Sequence, residues 1–485
     1  MLTSGHRPAR RAERPTIAIV GAGASGTLTT VQLLRCASQR GFPIRAVLID
    51  RRPEIGGVAY STNDPRHRLN VASEGMSALP DEPEHFLRWR RAGAAGPGKY
   101  APRGEYRHYL EDMLATAQRD GAPDATHTRM TADVARLDLA NHRVRLQFRG
   151  GDGLEADAAV LAVGNLPAQP PPGCEAVVGH PAYVNDPWAP GALERLQTDA
   201  RGTVLLIGTG LTMVDVAITL ASRIPHARLR AASRSGLLPR AHLGGAQPHP
   251  VAELLDPARS LPELVDVIVS RSVAGSPGWQ QLVDELRPRT QALWKLLTTE
   301  ERAEFLATRH RAWCVRRHRM PPQVAAMLAE LLESERLMVR GGSVELSAAG
   351  RHGLAASISG APPRDIALAV NCTGPGLDPQ TSHDPLVAQI LRDGYVRRHP
   401  LGIGFDTAPH GAFYTRDDGV SEHLFTLGPP RMGELYESTA VPEIRDQAQD
   451  LAATLLDALA GARPSRGAAG SPGGHTARGQ RPVRV

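Results

Sequence analysis

The chain has 485 residues, 41% of them hydrophobic and 22% charged, which is typical of a globular protein with two or three domains. No apolar run is long enough to cross a bilayer, and no apolar segment follows the N-terminal arginines, so we expect a cytoplasmic protein without a membrane partner. Residues 1–14 carry a net charge of +3 and residues 461–485 one of +5, so of the total of +6 about −2 remains for residues 15–460. The positive net charge therefore does not indicate a nucleic-acid-binding surface on the folded part of the chain.

The first ordered stretch predicts a strand, a glycine-rich turn, a helix and a second strand. An apolar run over residues 16–20 leads into the turn, and a second apolar run ends in Asp50. Glycines in this pattern allow a tight turn, close approach of a pyrophosphate and close packing of the helix, while the acid can accept a hydrogen bond from a ribose hydroxyl. The sequence therefore predicts a dinucleotide site formed by Asp50 and by the turn residues Gly21, Gly23, Ala24, Ser25 and Gly26.

Several further residues follow the predicted strands of this first domain. The doublet Gly56-Gly57 comes shortly after Asp50 and Arg51, and a buried strand over 158–163 ends in Gly164. Glycines at such positions let the backbone approach a flat ligand, although a plain turn is an equally good reading of the doublet. We list Arg51, Gly57 and Gly164 as candidate cofactor contacts. Arg103 fits either a phosphate ligand or a surface ion pair, and the ion pair is favoured.

A second copy of the glycine pattern begins at residue 203. An apolar strand over 203–207 is followed by the turn Gly208-Thr209-Gly210-Leu211-Thr212-Met213, in which methionine replaces the third glycine. The next strand ends in Ser233-Arg234 rather than in an acid, and arginine suits the 2′-phosphate of NADPH better than the free ribose of NADH. These residues are the predicted nicotinamide site. A flavin that must be reduced by a nicotinamide is the usual reason for two such folds in one chain.

Residues 248–340 are predicted to be largely helical, and one run in them is strongly basic. Residues 309–319 contain five arginines and two histidines beside Trp313. This pattern fits a solvated or acid-paired surface, and it fits a patch that recognises an anion or a substrate. We list Asn70, His318 and Arg319 as candidate substrate contacts.

Metal and disulfide chemistry are not expected. The four cysteines Cys36, Cys174, Cys314 and Cys372 have no Cys-x-x-Cys spacing, and the histidines of the basic run have no convincing metal-ligand spacing.

The last third returns to strands. Two apolar runs end in Gly374 and Gly428, and a segment containing Glu437 precedes Pro442, which suits the first turn of a helix running to about residue 459. A glycine followed by a helix N-terminus can seat the anionic edge of a flavin ring, although the helix could simply close the first domain. Gly374, Gly428 and Glu437 are therefore candidate cofactor contacts.

Taken together, the motifs resemble those of the bacterial FAD/NAD(P)-binding protein family, which is related to flavoprotein monooxygenases with two dinucleotide-binding domains. The residues that carry the resemblance are Gly21–Gly26 with Asp50, Gly56-Gly57, Arg68-Leu69-Asn70-Val71, Asn185-Asp186-Pro187-Trp188, the turn at Gly208, Trp313 with Arg317-His318-Arg319, Asn371-Cys372-Thr373-Gly374-Pro375 and residues 437–445.

The resemblance implies an α/β fold with two Rossmann-like domains, the NAD(P) domain being inserted in the FAD domain. The expected organisation is a disordered tail (1–14), FAD domain (15–195), NAD(P) domain (196–364) with a helical insertion (248–340), the second part of the FAD domain (365–460) and a disordered tail (461–485).

The family includes a urate hydroxylase and relatives that oxidise amino nitrogens. We therefore predict an enzyme with FAD and NADPH that uses O2 through a peroxyflavin to hydroxylate a small substrate, with nitrogenous compounds among the candidates. A flavin dehydrogenase or reductase that inserts no oxygen, and a non-enzymatic dinucleotide-binding sensor, are the alternatives.

Overall fold

The computed structural model describes residues 14–93, 98–193, 202–243, 259–276, 278–350 and 353–461. The two predicted tails, apart from Arg14 and Gly461, lie outside these residues. The strands are β1 Thr16–Val20, β2 Ile44–Asp50, β3 Ala125–Thr131, β4 Val134–Ala140, β5 Arg143–Phe148, β6 Gly153–Ala156, β7 Ala158–Leu161, β8 Tyr183–Val184, β9 Thr203–Ile207, β10 Arg228–Ser233, β11 Leu337–Gly341, β12 Val344–Ala349, β13 Gly353–Ile358, β14 Arg364–Ile366, β15 Leu368–Asn371, β16 Ala412–Tyr414 and β17 Val420–Phe425.

The helices alternate with these strands in the first part of each domain and are consecutive in the predicted insertion. They are α1 Ala24–Arg40, α2 Gly57–Tyr60, α3 His85–Ala92, α4 Arg103–Arg119, α5 Leu211–Arg223, α6 Leu261–Val273, α7 Trp279–Leu286, α8 Thr290–Leu296, α9 Thr299–Thr308, α10 His310–Arg317, α11 Pro322–Glu333, α12 Pro385–Arg392, α13 Met432–Leu435 and α14 Val441–Gly461. Among the described helices, none is both long and apolar enough to cross a membrane.

The first domain is built on a six-stranded sheet of order β16-β17-β7-β1-β2-β3. β1 pairs in parallel with β2 and with β7, so it lies inside the sheet and all five of its residues are buried. Ile17 and Ile19 face a core formed with α1, α4 and α14, whereas Ala18 and Val20 face the small β4-β5-β6 sheet. Burial on both faces explains why β1 is apolar throughout rather than alternating.

The second domain is built on a five-stranded sheet of order β11-β10-β9-β15-β8, in which neighbouring strands pair in parallel. α5 and α11 contribute Val214, Ala217 and Leu328 to the core on one face. The antiparallel sheet β12-β13-β14 contributes Leu346 and Leu354 to the core on the other face. Because β16 and β17 return to the first sheet after the second sheet is complete, the predicted insertion of one Rossmann-like domain in the other is confirmed.

The predicted boundaries between the domains are wrong in two places. β8, which lies before residue 195, and β15, which lies after residue 365, both belong to the second sheet. An apolar strand pattern does not say which sheet the strand joins, because strands buried in either sheet have the same composition. The chain therefore enters the second domain before Tyr183 and leaves it after Asn371.

The predicted helical insertion consists of a separate apolar cluster formed by α6 to α10. Trp294, Phe305 and Trp313 are buried in it, together with Tyr436 from the first domain. α11 instead packs with α5 in the second domain, so the insertion ends earlier than residue 340. Residues 244–258, at its predicted start, lie outside the described residues.

One glycine contact sets the position of α1 against β1. A Cβ atom added to Gly26 would lie 1.8 Å from the Gly21 carbonyl oxygen, whereas one added to Gly23 would meet only the Gly57 Cα, at 3.8 Å. We therefore expect Gly26→Ala to lower the free energy of unfolding by about 2 kcal/mol or more through overpacking. The matched variant Gly23→Ala should cost much less. Urea unfolding of both variants tests this, and equal stability of Gly26→Ala and the wild type would contradict it.

Candidate functional site

The first glycine turn leaves the N-terminus of α1 open to a ligand. Gly21 has φ +107°, a conformation that favours glycine, and a Cβ atom there would lie 2.3 Å from the Ala162 carbonyl oxygen. Gly23 is the N-cap of α1, and no side chain caps the helix. Backbone N–H groups and the helix dipole at such an end attract a phosphate group. The predicted residues Ala24 and Ser25 form the first turn of this helix.

The Asp50 side chain is hydrogen-bonded to the same turn. Its Oδ2 accepts a hydrogen bond from the Ala22 N–H at 2.8 Å, and its Oδ1 accepts one from the Arg52 N–H at 2.9 Å. The carboxylate thus connects the end of β2 to the glycine turn and retains further lone pairs for a ribose hydroxyl. The neighbouring candidate Arg51 is exposed.

Two predicted glycines pack directly on this turn. The Gly56 N–H donates to the Ala22 carbonyl at 2.9 Å, and a Cβ on Gly57 would lie 2.9 Å from the Gly23 Cα. A Cβ on Gly428 would lie 2.7 Å from the Ser25 Oγ. The doublet therefore approaches the turn's own backbone. The structure brings Gly57 and Gly428 together at one end of the first sheet.

Gly164 and Gly374 also have positive φ, of +67° and +98°, and a Cβ on either would meet no described atom within 4 Å. Gly164 follows β7 in the first sheet. Gly374 follows β15, so it lies just beyond the end of a strand of the second sheet rather than of the first.

The second glycine turn has the same backbone form with one change. Gly208 has φ +114°, and a Cβ there would lie 2.5 Å from the Cys372 carbonyl oxygen. Gly210 is the N-cap of α5, and a Cβ there would meet no described atom within 4 Å. Leu211 and Thr212 begin the helix. The Met213 side chain is fully buried in the core of the second domain. The prediction that Met213 contacts the cofactor is therefore corrected for its side chain.

The end of β10 and the basic run meet beside this turn. Thr209 Oγ1 lies 2.7 Å from Ser233 Oγ and donates to the Leu237 carbonyl at 2.7 Å. Arg311 from α10 donates to Thr209 Oγ1 at 2.9 Å and to the Leu237 carbonyl at 2.8 Å. Arg234 is exposed, and burial together with this second guanidinium lowers the pKa of Arg311. The guanidinium groups of Arg234 and Arg311 therefore lie beside the turn, and two cations in one place suit an anion.

Most arginines of the basic run are paired with acids, which agrees with the prediction of an acid-paired surface. Arg309 pairs with Asp266 and Glu304, Arg317 with Glu437 and Arg319 with Asp284. Arg311 and Arg316 differ from these three, because no carboxylate oxygen of the described residues forms an ion pair with either. Arg316 donates to the Ala312 carbonyl within its own helix at 2.8 Å, whereas Arg311 reaches the second glycine turn. Arg311 was not among the predicted contacts, although it lies in the basic run that predicted an anion patch.

Glu437 is buried between the helical insertion and the start of α14. Trp313 Nε1 donates to its Oε1 at 3.1 Å, and Arg317 Nη2 lies 3.3 Å from its Oε2. Burial alone would raise the pKa of Glu437, but Arg317, His318 and the Trp313 hydrogen bond lower it below its ordinary value. The carboxylate is therefore ionised at neutral pH, and the Ser438 hydroxyl beside it is fully buried without a hydrogen-bond partner in the described part of the chain.

Tyr436 holds this segment in a strained turn. It has φ +60°, which is costly for a non-glycine residue, and the Glu437 N–H donates to the Leu435 carbonyl at 2.7 Å. The Tyr436 ring stacks on Trp294 at 4.7 Å, and its hydroxyl lies 2.9 Å from His310 Nδ1. His310 also lines an apolar cavity of about 660 Å³ between α9 and residues 377–403, and thus connects this cavity to the Glu437 segment.

The three candidate substrate contacts lie in two places. His318 adjoins Glu437, and burial, with Arg317 next, lowers its pKa to about 4, so it is neutral at pH 7. Arg319 donates to Gln280 Oε1 at 3.1 Å and pairs with Asp284. The Asn70 carbonyl accepts a hydrogen bond from His242 Nε2 at 3.0 Å. His318 and Arg319 therefore lie in different surroundings, and Arg319, although buried, pairs with the exposed Asp284.

Arg103 forms an ion pair, but between domains. It pairs with Asp215 on α5, a residue that is 4% exposed, and lies 5.8 Å from the Trp188 ring centroid. His67 bonds Thr219 Oγ1 of the same helix through Nε2 at 2.8 Å. These contacts hold α5 against the first domain, so Arg103 connects the two domains.

Comparison with known proteins agrees with this architecture. Residues 18–166 match the family model described as FAD-NAD(P)-binding. No curated protein sequence matches the chain. Among solved structures, ornithine hydroxylase from Pseudomonas aeruginosa is 14% identical with a TM-score of 0.61, the match covering 92% of this chain and 100% of that one.

Two further solved structures are similar to the same extent. L-lysine 6-monooxygenase from Pseudomonas syringae is 14% identical, with a TM-score of 0.59 and coverage of 92% and 100%. Ornithine N-hydroxylase from Kutzneria sp. 744, solved with reduced FAD, NADP+ and L-ornithine, is 13% identical, with a TM-score of 0.58 and coverage of 91% and 99%. The chain has the two-domain fold of flavoprotein oxidoreductases, with an FAD-NAD(P)-binding domain at residues 18–166, as the motifs predicted.

The buried Glu437–Arg317 pair gives a prediction for stability. Arg317→Met leaves a buried carboxylate without its cation, and we expect it to lower the free energy of unfolding by about 3 kcal/mol at pH 8. Adding Glu437→Gln should recover most of this loss. Because burial then raises the pKa of Glu437, the loss in Arg317→Met should shrink as the pH falls from 8 to 5.

Chemical denaturation of the two single variants and the double variant at both pH values measures this coupling. The exposed pair Arg145–Glu155 is the matched control, and Arg145→Met should change stability far less. A double variant as unstable as Arg317→Met at pH 8 would contradict the pairing.

Proposed function

Because residues 18–166 form an FAD-NAD(P)-binding domain, we propose that the protein is an FAD-dependent, NADPH-consuming monooxygenase that hydroxylates a small nitrogenous substrate. The observation that carries the proposal is the similarity of fold to ornithine hydroxylase over 92% of the chain. Fold similarity alone does not determine a reaction. The residues at the two glycine turns provide further support for FAD and NADPH.

FAD suits the first turn on the evidence of its shape and charge. The uncapped N-terminus of α1 and the open Gly23 would receive the pyrophosphate, and Asp50 would bind the ribose. Gly164 and Gly428 lie at the same end of the sheet. Near the start of α14, the Ser438 hydroxyl lacks a partner in the described part of the chain, which fits a polar ring edge there. When bound and reduced, the flavin supplies the electrons that activate O2.

NADPH suits the second turn. Gly208 and Gly210 would accommodate its pyrophosphate, and Ser233 and Arg234, at the end of β10, would contact the adenosine ribose. Arg311 adds a second cation at the turn, held in place by the Thr209 hydroxyl. A doubly charged 2′-phosphate is favoured by this arrangement over the free hydroxyl of NADH.

The insertion would shield the reacting atoms and contact the substrate. Trp313 and Trp294 are buried where α8 and α10 cover the Glu437 segment. Exclusion of water there would keep activated oxygen from being lost as hydrogen peroxide. His318 is neutral at pH 7, because burial lowers its pKa to about 4, and it would offer a substrate an uncharged hydrogen-bonding group. Asn70 remains a proposed substrate contact through its side chain.

Cofactor preference gives the first test of this proposal. Arg234→Ser and Arg311→Met should each raise the KM for NADPH about tenfold or more, since each removes a cation from the phosphate, and should leave the KM for NADH nearly unchanged. Steady-state oxidation of both nucleotides measures the effect. Arg228→Ser, at the exposed start of the same strand, is the control. Loss of NADPH and NADH use in equal measure would refute a 2′-phosphate site.

Substrate-dependent oxygen use gives the second test. NADPH consumption, hydrogen peroxide and hydroxylated product are measured in air with amines, amino acids and purines. A monooxygenase should consume NADPH faster with its substrate and form product in place of peroxide. Fast NADPH oxidation with an artificial acceptor but no product would favour a dehydrogenase, whereas bound dinucleotide without turnover would favour a sensor. A disulfide is not the expected acceptor, because the sequence has no Cys-x-x-Cys.

A further inference from the structure

Three side chains that are far apart in sequence meet at the surface of the first domain. His142 lies in the turn between β4 and β5, while Glu422 and His423 lie on β17. One nitrogen atom of each imidazole and one carboxylate oxygen of Glu422 lie within 4.8 Å of one another. His142 and Glu422 are exposed, so solutes have access to the group. Nitrogen and carboxylate ligands of this kind bind zinc-like divalent ions.

His423 is already oriented as a metal ligand would be. Its Nδ1 lies 3.0 Å from the Asp157 carbonyl oxygen, which can only accept, so Nδ1 carries the hydrogen and the Nε2 lone pair is free. Asp157 is itself fixed, because its N–H donates to the Thr16 carbonyl at 2.8 Å and its Oδ2 accepts from the Thr16 N–H at 2.7 Å. A hydrogen bond from the second nitrogen to a carbonyl is the usual support of a ligating histidine.

The start of β17 brings neighbouring residues to the same place. Ser421 Oγ accepts hydrogen bonds from the His423 N–H at 3.4 Å and from the Leu424 N–H at 3.0 Å, a local turn that departs from regular strand geometry. In a regular strand, Glu422 and His423 would point to opposite faces. The turn accounts for their joining one cluster.

His142 occupies a position that would suit glycine better. Asn141 and His142 have φ of +51° and +57° and connect β4 to β5 as a two-residue hairpin turn. Such turns favour glycine at the second position, because a side chain is strained there. The backbone thus carries a conformational cost in order to present an imidazole toward β17.

The geometry points to a divalent metal site in which His142, Glu422 and His423 bind a Zn²⁺-like ion, with water as the fourth ligand. Tetrahedral ligand atoms at zinc distances lie about 3.3 Å apart, so modest side-chain rotation would close the site. The ion would join the β4–β5 turn to β17 and stabilise the first domain. It lies outside both dinucleotide sites.

The test uses the full-length protein after treatment with a chelator. Isothermal titration with ZnCl2 should give one site per chain, and thermal unfolding should show a rise in Tm on adding the ion. His142→Gly should weaken binding at least about tenfold and abolish the rise in Tm. The same variant should raise the Tm of the metal-free protein, because glycine relieves the turn.

His423→Gln tests the ligand without changing the turn, and His226→Ala, an exposed histidine outside the cluster, is the matched control. His423→Gln should lose Zn²⁺ binding while the control keeps it. Equal affinity for Zn²⁺ in the wild type, His142→Gly and His423→Gln would overturn the proposal, because binding would then lie elsewhere. A wild type whose Tm does not change with Zn²⁺ would overturn the stabilising role.

Discussion

The structure depends on the close approach of two backbone segments in the first glycine turn. A Cβ atom on Gly26 would lie 1.8 Å from the Gly21 carbonyl oxygen, so α1 can lie against β1 only because Gly26 lacks a side chain. That contact aims the N-terminus of α1 outward between β1 and its neighbours. Asp50, Gly57 and the later Gly428 then converge on the same turn.

The second domain reaches a similar turn by different packing. Gly208 fits closely against Cys372, but Met213 replaces the third glycine and fills the core instead of permitting close contact. The turn gains the hydroxyl network of Thr209, which the cationic Arg311 completes. A degenerate glycine pattern is therefore compatible with a well-formed anion site.

One short helix connects the two sites. α10 provides Arg311 to the second turn and, further along, Trp313 and Arg317 to the buried Glu437. The helical insertion is thus more than a cover, because it is anchored to both dinucleotide domains. Together with the Arg103–Asp215 pair, it fixes how the two domains face each other. Such a connection suits a reaction in which electrons pass between two bound cofactors.

Local features of this architecture could be predicted from the sequence, and long-range ones could not. The strand and glycine turn at Gly21 are determined by neighbouring residues, as are the Gly208 turn and the helix after Pro442. The membership of β8 and β15 in the second sheet depends on pairing between distant strands, which apolar composition does not encode. For the same reason the partners of Arg319 and the meeting of His142 with His423 emerged only from the folded chain.

The division of labour between the two turns is tested most directly by anaerobic rapid mixing of the flavin-loaded protein with reduced nicotinamides. If FAD occupies the first site and NADPH the second, NADPH should bleach the visible flavin absorbance at least about tenfold faster than NADH at equal, subsaturating concentrations, given two cations at the phosphate. Protein that binds no flavin, or bound flavin that NADPH does not reduce, would contradict the account.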